Sequence, residues 1–457
     1  MPGLTERKIE IVRSLMEVSP DRVVGALREA LASTSGDDAM ADVRRLVEAE
    51  AKDRRLRSIA LEPASALFTA DGRATDRLTF PAAALALIWK GVKAQAPDQV
   101  EMLGLRVDDV WSDGSPTEIQ DLLAETVAQS LRSRSPQVFA QAAALCDQAR
   151  PDGADLAISC FELCPEVRRA AAKLGDWIVR RTAENATAAR LAYKDAVAVA
   201  EDAGGRFFEL LSTQLPQPWM ILRIISAVMD RPAERFMAQT EFAPFAERLM
   251  DAIDQGLVEF ARFDVDGGAA AGVAAAKAVE LATAQITELE EAIELSREGP
   301  WGRRVAKQRQ GIAAGVERRL KDAEKAVWVA LPTQSTRVQK LTKRTPSLVG
   351  EPDATAVRRA VGLLTFANEI RSSANRGGFA AAQTKLAEAL DDDLEAYIED
   401  VLEVLRHDDG EMAPAAQHHL AVVAEFVRLI HDRKAAELVR RRAAAAAAVA
   451  ETPATAA

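Results

Sequence analysis

The strongest constraint on what this chain can fold into is a stripe. Phe245, Leu249, Ile253, Leu257 and Phe260 recur at intervals of four, four, four and three residues. Only a helix puts residues at that spacing on one face, and a face that apolar must be buried against a neighbour. Shorter stripes of the same kind run through much of the sequence. Ile9, Val12 and Met16 share a face, and Val23, Leu27 and Leu31 share another after the break at Ser19-Pro20. Ile119, Leu122, Leu123, Val127 and Leu131 follow a helix start at Ser115-Pro116, with Glu118, Asp121 and Glu125 turned outward. Val167, Ala171, Leu174 and Ile178 are expected to line one further helix, and Trp219, Leu222, Ile225 and Met229 another begun by Pro218. Runs that alternate with period two are scarce, which disfavours sheets.

Composition sharpens this reading. Hydrophobic residues make up 48% of the chain but aromatics only 5%, so the cores must be built from Ala, Leu, Val and Ile. Small aliphatic residues suit close-packed helices. The expectation is an all-α protein: a multi-helix bundle or irregular stacked helical hairpins, with a long antiparallel helical hairpin in the second half. The Ser-Pro opening recurs at Ser135-Pro136 and, with Cys for Ser, at Cys164-Pro165, but at unequal intervals that exclude a fixed repeat. Five stretches are distinguished: an N-terminal helical region 1–134, a central one 135–265, a hairpin with a basic second arm 266–345, a C-terminal helical region 346–441, and a low-complexity tail 442–457.

The hairpin begins after the punctuation at Asp264-Val-Asp-Gly-Gly268. Val279, Ile286 and Ile293 stand seven apart, interleaved by Ala282 and Leu289. That is about two heptads, short of the roughly three to four needed for a free-standing coiled coil. Gly299-Pro300 ends the first arm and the second runs to about Leu331. A polar, basic connection is expected from Pro332 to Pro352. A last helical group follows, with stripes at Val357, Val361 and Leu364, at Leu394, Ile398, Val401 and Leu405, and at Val423, Phe426 and Ile430.

The formal net charge of −11 and pI near 5.2 argue against general binding to nucleic acid or anionic membrane. The most apolar stretch, Phe207 to Met229, is broken by Pro216, Pro218 and Arg223, and falls short of the ~20 apolar residues of a bilayer span. The first residues carry no apolar secretory core, and three cysteines suit a reducing compartment, so a cytoplasmic location is expected.

One segment departs from this acidic background. Between Trp301 and Arg344 stand Arg303, Arg304, Lys307, Arg309, Arg318, Arg319, Lys321, Lys325, Arg337, Lys340, Lys343 and Arg344, against only Glu317, Asp322 and Glu324. The segment is formally +9 and the rest of the chain −20. Such asymmetry points to an acidic partner. Gly311 and Gly315 on the same arm would permit close approach by another backbone. Three readings stay open. The basic segment can be neutralised within the protein by the acidic stretch 391–411, formally −9, which holds Asp391, Asp392, Asp393, Glu395, Glu399, Asp400, Glu403, Asp408, Asp409 and Glu411 around Arg406. It can dock an acidic protein, since guanidinium groups make paired hydrogen bonds at interfaces. Or it can bind nucleic acid or anionic lipid, although Trp301 and Trp328 are its only aromatics for stacking.

Patterns that would carry catalysis or metal binding are wanting. Adjacent His418 and His419 point about 100° apart on a helix and cannot chelate together. His419 alone joins an apolar stripe. Cys160 and Cys164 share a helix face with Leu156, which reads as core packing, as does Cys146. Asp264-Val265-Asp266-Gly267 begins like a calcium loop, but position 12 of such a loop is Ala275 where a carboxylate is required. Arg376-Gly377-Gly378 with Gln383-Thr384-Lys385 lacks the order of a phosphate loop. No cofactor is implied and no enzyme class is indicated. The expectation is a non-enzymatic cytoplasmic adaptor or scaffold that binds an acidic protein through helix faces, chiefly the basic segment, with nucleic-acid or anionic-lipid binding by that segment as the alternative.

Overall fold

The computed structural model of the chain describes residues 5–32, 38–70, 77–108, 117–180, 182–200, 202–229, 231–338, 341–407 and 412–450. The described residues are all-α apart from two small two-stranded ribbons. Two compact units form: one from Met1–Pro232 with Phe236–Pro244, the other from Ala233–Arg235 with Phe245–Ala457.

The first unit opens with α1 (Glu6–Val18), α2 (Asp21–Ala32) and α3 (Asp38–Ala60). Met16, Val24, Leu31 and Val47 form their shared core. Of the stripe expected on α2, Leu31 is buried, whereas Val23 and Leu27 face solvent and Val24 takes the buried place. Arg54 of α3 closes the end of α1, donating to the carbonyls of Met16 at 2.6 Å and Ser19 at 2.8 Å. β1 (Phe68–Thr69) and β2 (Phe80–Pro81) pair in parallel and lead into α4 (Ala82–Gln95) and α5 (Pro97–Asp108). Next come α6 (Thr117–Ser133), α7 (Gln137–Ala149), α8 (Gly153–Glu162), α9 (Cys164–Ala171) and α10 (Leu174–Val179). Ser115-Pro116 lies outside the described residues. The stripe from Val167 to Ile178 spans two helices, α9 and α10, because the chain turns at Ala172 and Lys173. Proline still marks starts, Pro136 standing just before α7 and Pro165 at the first turn of α9. α11 (Ala183–Val199), α12 (Ala203–Ser212) and α13 (Ile221–Val228) complete this unit's longer helices, with Phe207 and Phe208 wholly buried.

A short helix α14 (Glu234–Met237) precedes α15 (Ala243–Ala261), which carries the diagnostic stripe. Phe245, Leu249, Ile253 and Phe260 are buried as expected. Each contributes about 1.5–3 kcal/mol relative to exposure. The Gly turn follows: Asp264 accepts from the Asp266 N–H at 3.1 Å, and Gly268 takes a φ of 68°, which favours glycine. The two arms expected next are α16 (Gly268–Ala292) and α17 (Pro300–Ala330). Val279, Ile286, Ile293, Ala282 and Leu289 are all buried.

Past α17 the expected polar, basic connection contains a β-hairpin. β3 (Thr333–Val338) pairs antiparallel with β4 (Leu341–Pro346), from Thr333 opposite Pro346 to Val338 opposite Leu341. Its strands are Thr-Gln-Ser-Thr-Arg-Val and Leu-Thr-Lys-Arg-Thr-Pro, so no apolar alternation announced them. α18 (Ala354–Glu369) starts at Asp353, whose carboxylate accepts from the N–H groups of Thr355 and Ala356. α18 packs along both α16 and α17. A Cβ on Gly272 would lie 2.2 Å from the Gly362 carbonyl oxygen, so only glycine allows α16 and α18 to cross at this distance. After the short α19 (Ala374–Gly377), α20 (Ala380–His407), α21 (Ala413–Ile430) and α22 (Arg433–Ala450) pack on one another, and the alanine run stays helical to Ala450.

Candidate interaction face

The helix that carries most of the basic segment packs chiefly along α18 and also against α20 and α16, with Leu257 and Phe260 of α15 facing its glycines. Val305, Ile312, Val316, Leu320 and Val327 of α17 are buried. Gly311 and Gly315 serve this packing: a Cβ on Gly315 would sit 2.9 Å from the Phe260 ring, and one on Gly311 at 3.6 Å from Leu257. The close approach foreseen for them is made by α15 of the same chain.

This seating sorts the basic residues into two groups. Three arginines turn inward and are consumed. Arg304 donates through Nε to Asp254 at 2.9 Å and through Nη2 to Asp251 at 2.5 Å, beside Gln308, which donates to the Met250 carbonyl at 2.7 Å and to Asp254 at 2.8 Å. Arg309 forks onto Glu290 of α16 and donates to the Arg376 carbonyl at 2.8 Å. Arg319 donates to the Ala261 carbonyl at 3.2 Å, and its guanidinium lies 5.5 Å from the centre of the Phe263 ring. Burial, and then neighbouring Arg318, lower the Arg319 pKa, though Asp322 pulls it the other way.

The second group faces water. Arg303, Lys307, Arg318, Lys321 and Lys325 are exposed. With Gln310 and Ala314 they follow steps of four, three, four, four, three and four, one continuous line along the outside of α17. At about 1.5 Å per residue the line is roughly 33 Å long. Lys321 pairs with Glu317 at 3.0 Å, whereas Arg303, Lys307, Arg318 and Lys325 make no side-chain hydrogen bond or ion pair with described residues. Arg337, Lys343 and Arg344 belong to the β3–β4 hairpin, with Arg344 opposite Ser335 and Lys343 opposite Thr336 in register. Lys340 lies outside the described residues.

Three acids of the stretch 391–411 pair elsewhere. Asp391 meets His431 at 2.8 Å, and Glu395 and Glu399 share Arg442. Asp408, Asp409 and Glu411 lie outside the described residues. The described carboxylate partners of the inward arginines are Asp251, Asp254, Glu290 and Asp322. The two aromatics of the basic segment are occupied too. Trp301 is buried, and Trp328 lies 6.4 Å from the Tyr397 ring.

Two polar sites escaped sequence reasoning. Glu234, only 3% exposed, accepts from the N–H groups of Ser296 at 2.9 Å, Trp301 at 2.8 Å and Gly302 at 3.3 Å, so a carboxylate more than sixty residues away caps α17. His419 is buried as its stripe implied, and its Nδ1 lies 2.8 Å from the Tyr397 hydroxyl. That hydroxyl gave no local signal, since its partner is on another helix.

All three cysteines are buried and free. Burial pushes the Cys146 thiol up to about 12 and Cys164 up to about 11, and raises Cys160 further. Among the described residues no group of three or more His, Cys, Asp and Glu is placed to hold a metal ion, and no helix is long and apolar enough to cross a membrane. The first unit has a groove of about 490 Å³ floored by Leu122, Phe161 and Val199. Leu122, expected in the core, is 46% exposed there. Rim carboxylates are answered locally, Asp121 by Arg168 and Glu162 by Arg132. Comparison with protein-family models, curated proteins and solved structures finds no match to this chain.

Proposed function

We propose that this chain is a non-enzymatic cytoplasmic scaffold that docks an acidic protein on the outer line of α17. The observation that carries the reading is the sorting of the basic residues: Arg304, Arg309 and Arg319 have partners within the unit, while Arg303, Lys307, Arg318 and Lys325 present charge with no partner among the described residues. An exposed cation is well solvated and need not be matched, but a row of them on a rigid helix is pre-organised for a row of carboxylates. A protein partner is favoured over nucleic acid on two grounds. Trp301 and Trp328 are both engaged and so give bases nothing to stack on, and the chain outside 301–344 is formally −20 and repels a polyphosphate.

The test is titration of the intact protein with polyglutamate, duplex DNA and anionic vesicles at several salt concentrations. Wild type is expected to bind polyglutamate. The variant Arg303→Glu/Lys307→Glu/Arg318→Glu/Lys325→Glu is expected to bind about tenfold more weakly or worse, a loss of ~1.4 kcal/mol or more. Its melting temperature should stay near wild type, because exposed substitutions change stability little. Unchanged polyglutamate binding by this variant would overturn the reading. Preferential binding to DNA, with a log–log salt slope of about −0.9 per phosphate, would move it to nucleic acid.

A further inference from the structure

The exposed face of α20 is the complement of the α17 line. Glu388, Asp392, Glu395, Glu399 and Glu403 follow steps of four, three, four and four, and all five are exposed. They therefore form one acidic line, roughly 22 Å long at about 1.5 Å per residue. Arg442 is the one described cation set against it, and it serves Glu395 and Glu399 together. Glu388, Asp392 and Glu403 make no described side-chain ion pair or hydrogen bond. Arg406, also exposed, caps the far end of the line.

One molecule thus carries two straight, rigid, oppositely charged lines that do not neutralise each other. Within the chain the inward arginines of α17 bind Asp251, Asp254 and Glu290, while on α20 Asp391 binds His431 and Glu395 and Glu399 bind Arg442. On the basic line itself, the positions between Lys307 and Arg318 are the exposed, uncharged Gln310 and Ala314. The acidic line has Ala396 exposed at its centre. Two helices with small residues at the crossing approach closely, which brings flanking charges within contact distance. Lys307 and Arg318 are eleven residues apart, as are Asp392 and Glu403, so the two pairs have the same spacing along their helices.

We infer that the acidic partner of α17 is a second copy of this chain, docked through the outer face of its α20. The inference rests on the scaffold reading above and names its partner. The overall charge of −11 opposes association, but at physiological salt the Debye length of about 8 Å screens distant charges and leaves the contacting pairs.

Sedimentation equilibrium of the full chain tests this through a charge swap. Wild type is expected to self-associate at physiological salt and to dissociate at about 1 M, where the Debye length falls to about 3 Å. The α17 reversal (Arg303, Lys307, Arg318 and Lys325 to Glu) should be monomeric. So should the α20 reversal (Glu388, Asp392, Glu399 and Glu403 to Lys). Mixing the two variants should restore association, because each then offers the line the other lacks. Circular dichroism melts of each variant verify that both are folded, and the mixture needs no further variant to interpret. A wild type that stays monomeric, a reversal that associates like wild type, or a mixture that stays monomeric would each overturn the inference. Polyglutamate binding by a monomeric wild type would leave the scaffold reading standing while this one fell.

Discussion

Glu234 and His419 are single residues whose surroundings fix a measurable behaviour. Glu234 gives its carboxylate to three N–H groups at the start of α17, two of them in the first turn of the helix. Replacing it with Ala leaves those donors without that acceptor at a buried site, at a cost of about 1–3 kcal/mol. Urea unfolding of Glu234→Ala should show a lower midpoint, and Glu234→Gln, which keeps one oxygen acceptor, an intermediate one. An unchanged midpoint for Glu234→Ala would mean the cap contributes nothing. His419 sits 1% exposed against Tyr397. Burial lowers its pKa from 6.5, a hydrogen bond with the Gly350 backbone opposes this, and His418 adds to the lowering. The unfolded chain therefore takes up a proton at His419 as pH falls through about 6.5, before the folded state does. The stability this residue contributes is complete above that pH and is lost below it. Wild type should lose more stability between pH 7.5 and 5.5 than His419→Gln does, with equal losses as the contrary result.

Helices are the scale at which the sequence was most legible. The stripe of α15, the seven-residue spacing in α16, the Gly299-Pro300 break and the start of α18 after Pro352 all follow from local periodicity and local breakers. Errors fell where a local pattern has two solutions. Val23 and Val24 are adjacent, so either can head the stripe, and the neighbours of α2 decide that Val24 is buried. The β3–β4 hairpin has polar, basic strands, and its pairing is invisible without the partner strand. The candidate face was legible as a charge run but not as a line, because which arginines turn inward depends on Asp251, Asp254 and Glu290, far away in sequence. Two glycines make the packing testable. Gly272→Ala forces a Cβ to 2.2 Å from the Gly362 carbonyl and should cost about 3 kcal/mol or more, as backbone cannot yield as a side chain can. Gly311→Ala meets only Leu257 at 3.6 Å and should stabilise α17 by up to ~1 kcal/mol. Equal midpoints for the two variants would refute the crossing geometry.

For the molecule as a whole, the chemistry is unevenly divided between the two units. Histidines and the two charged lines belong to the second unit, and the cysteines to the first. The three thiols are buried in the core of the first unit, and their raised pKa values keep them protonated near neutral pH. Each can meet an alkylating reagent only when the first unit opens. The chain therefore carries a built-in reporter for one of its halves: the rate at which thiols become labelled in the intact protein times the opening of residues around 146–164, with no probe attached and no change to the face on α17.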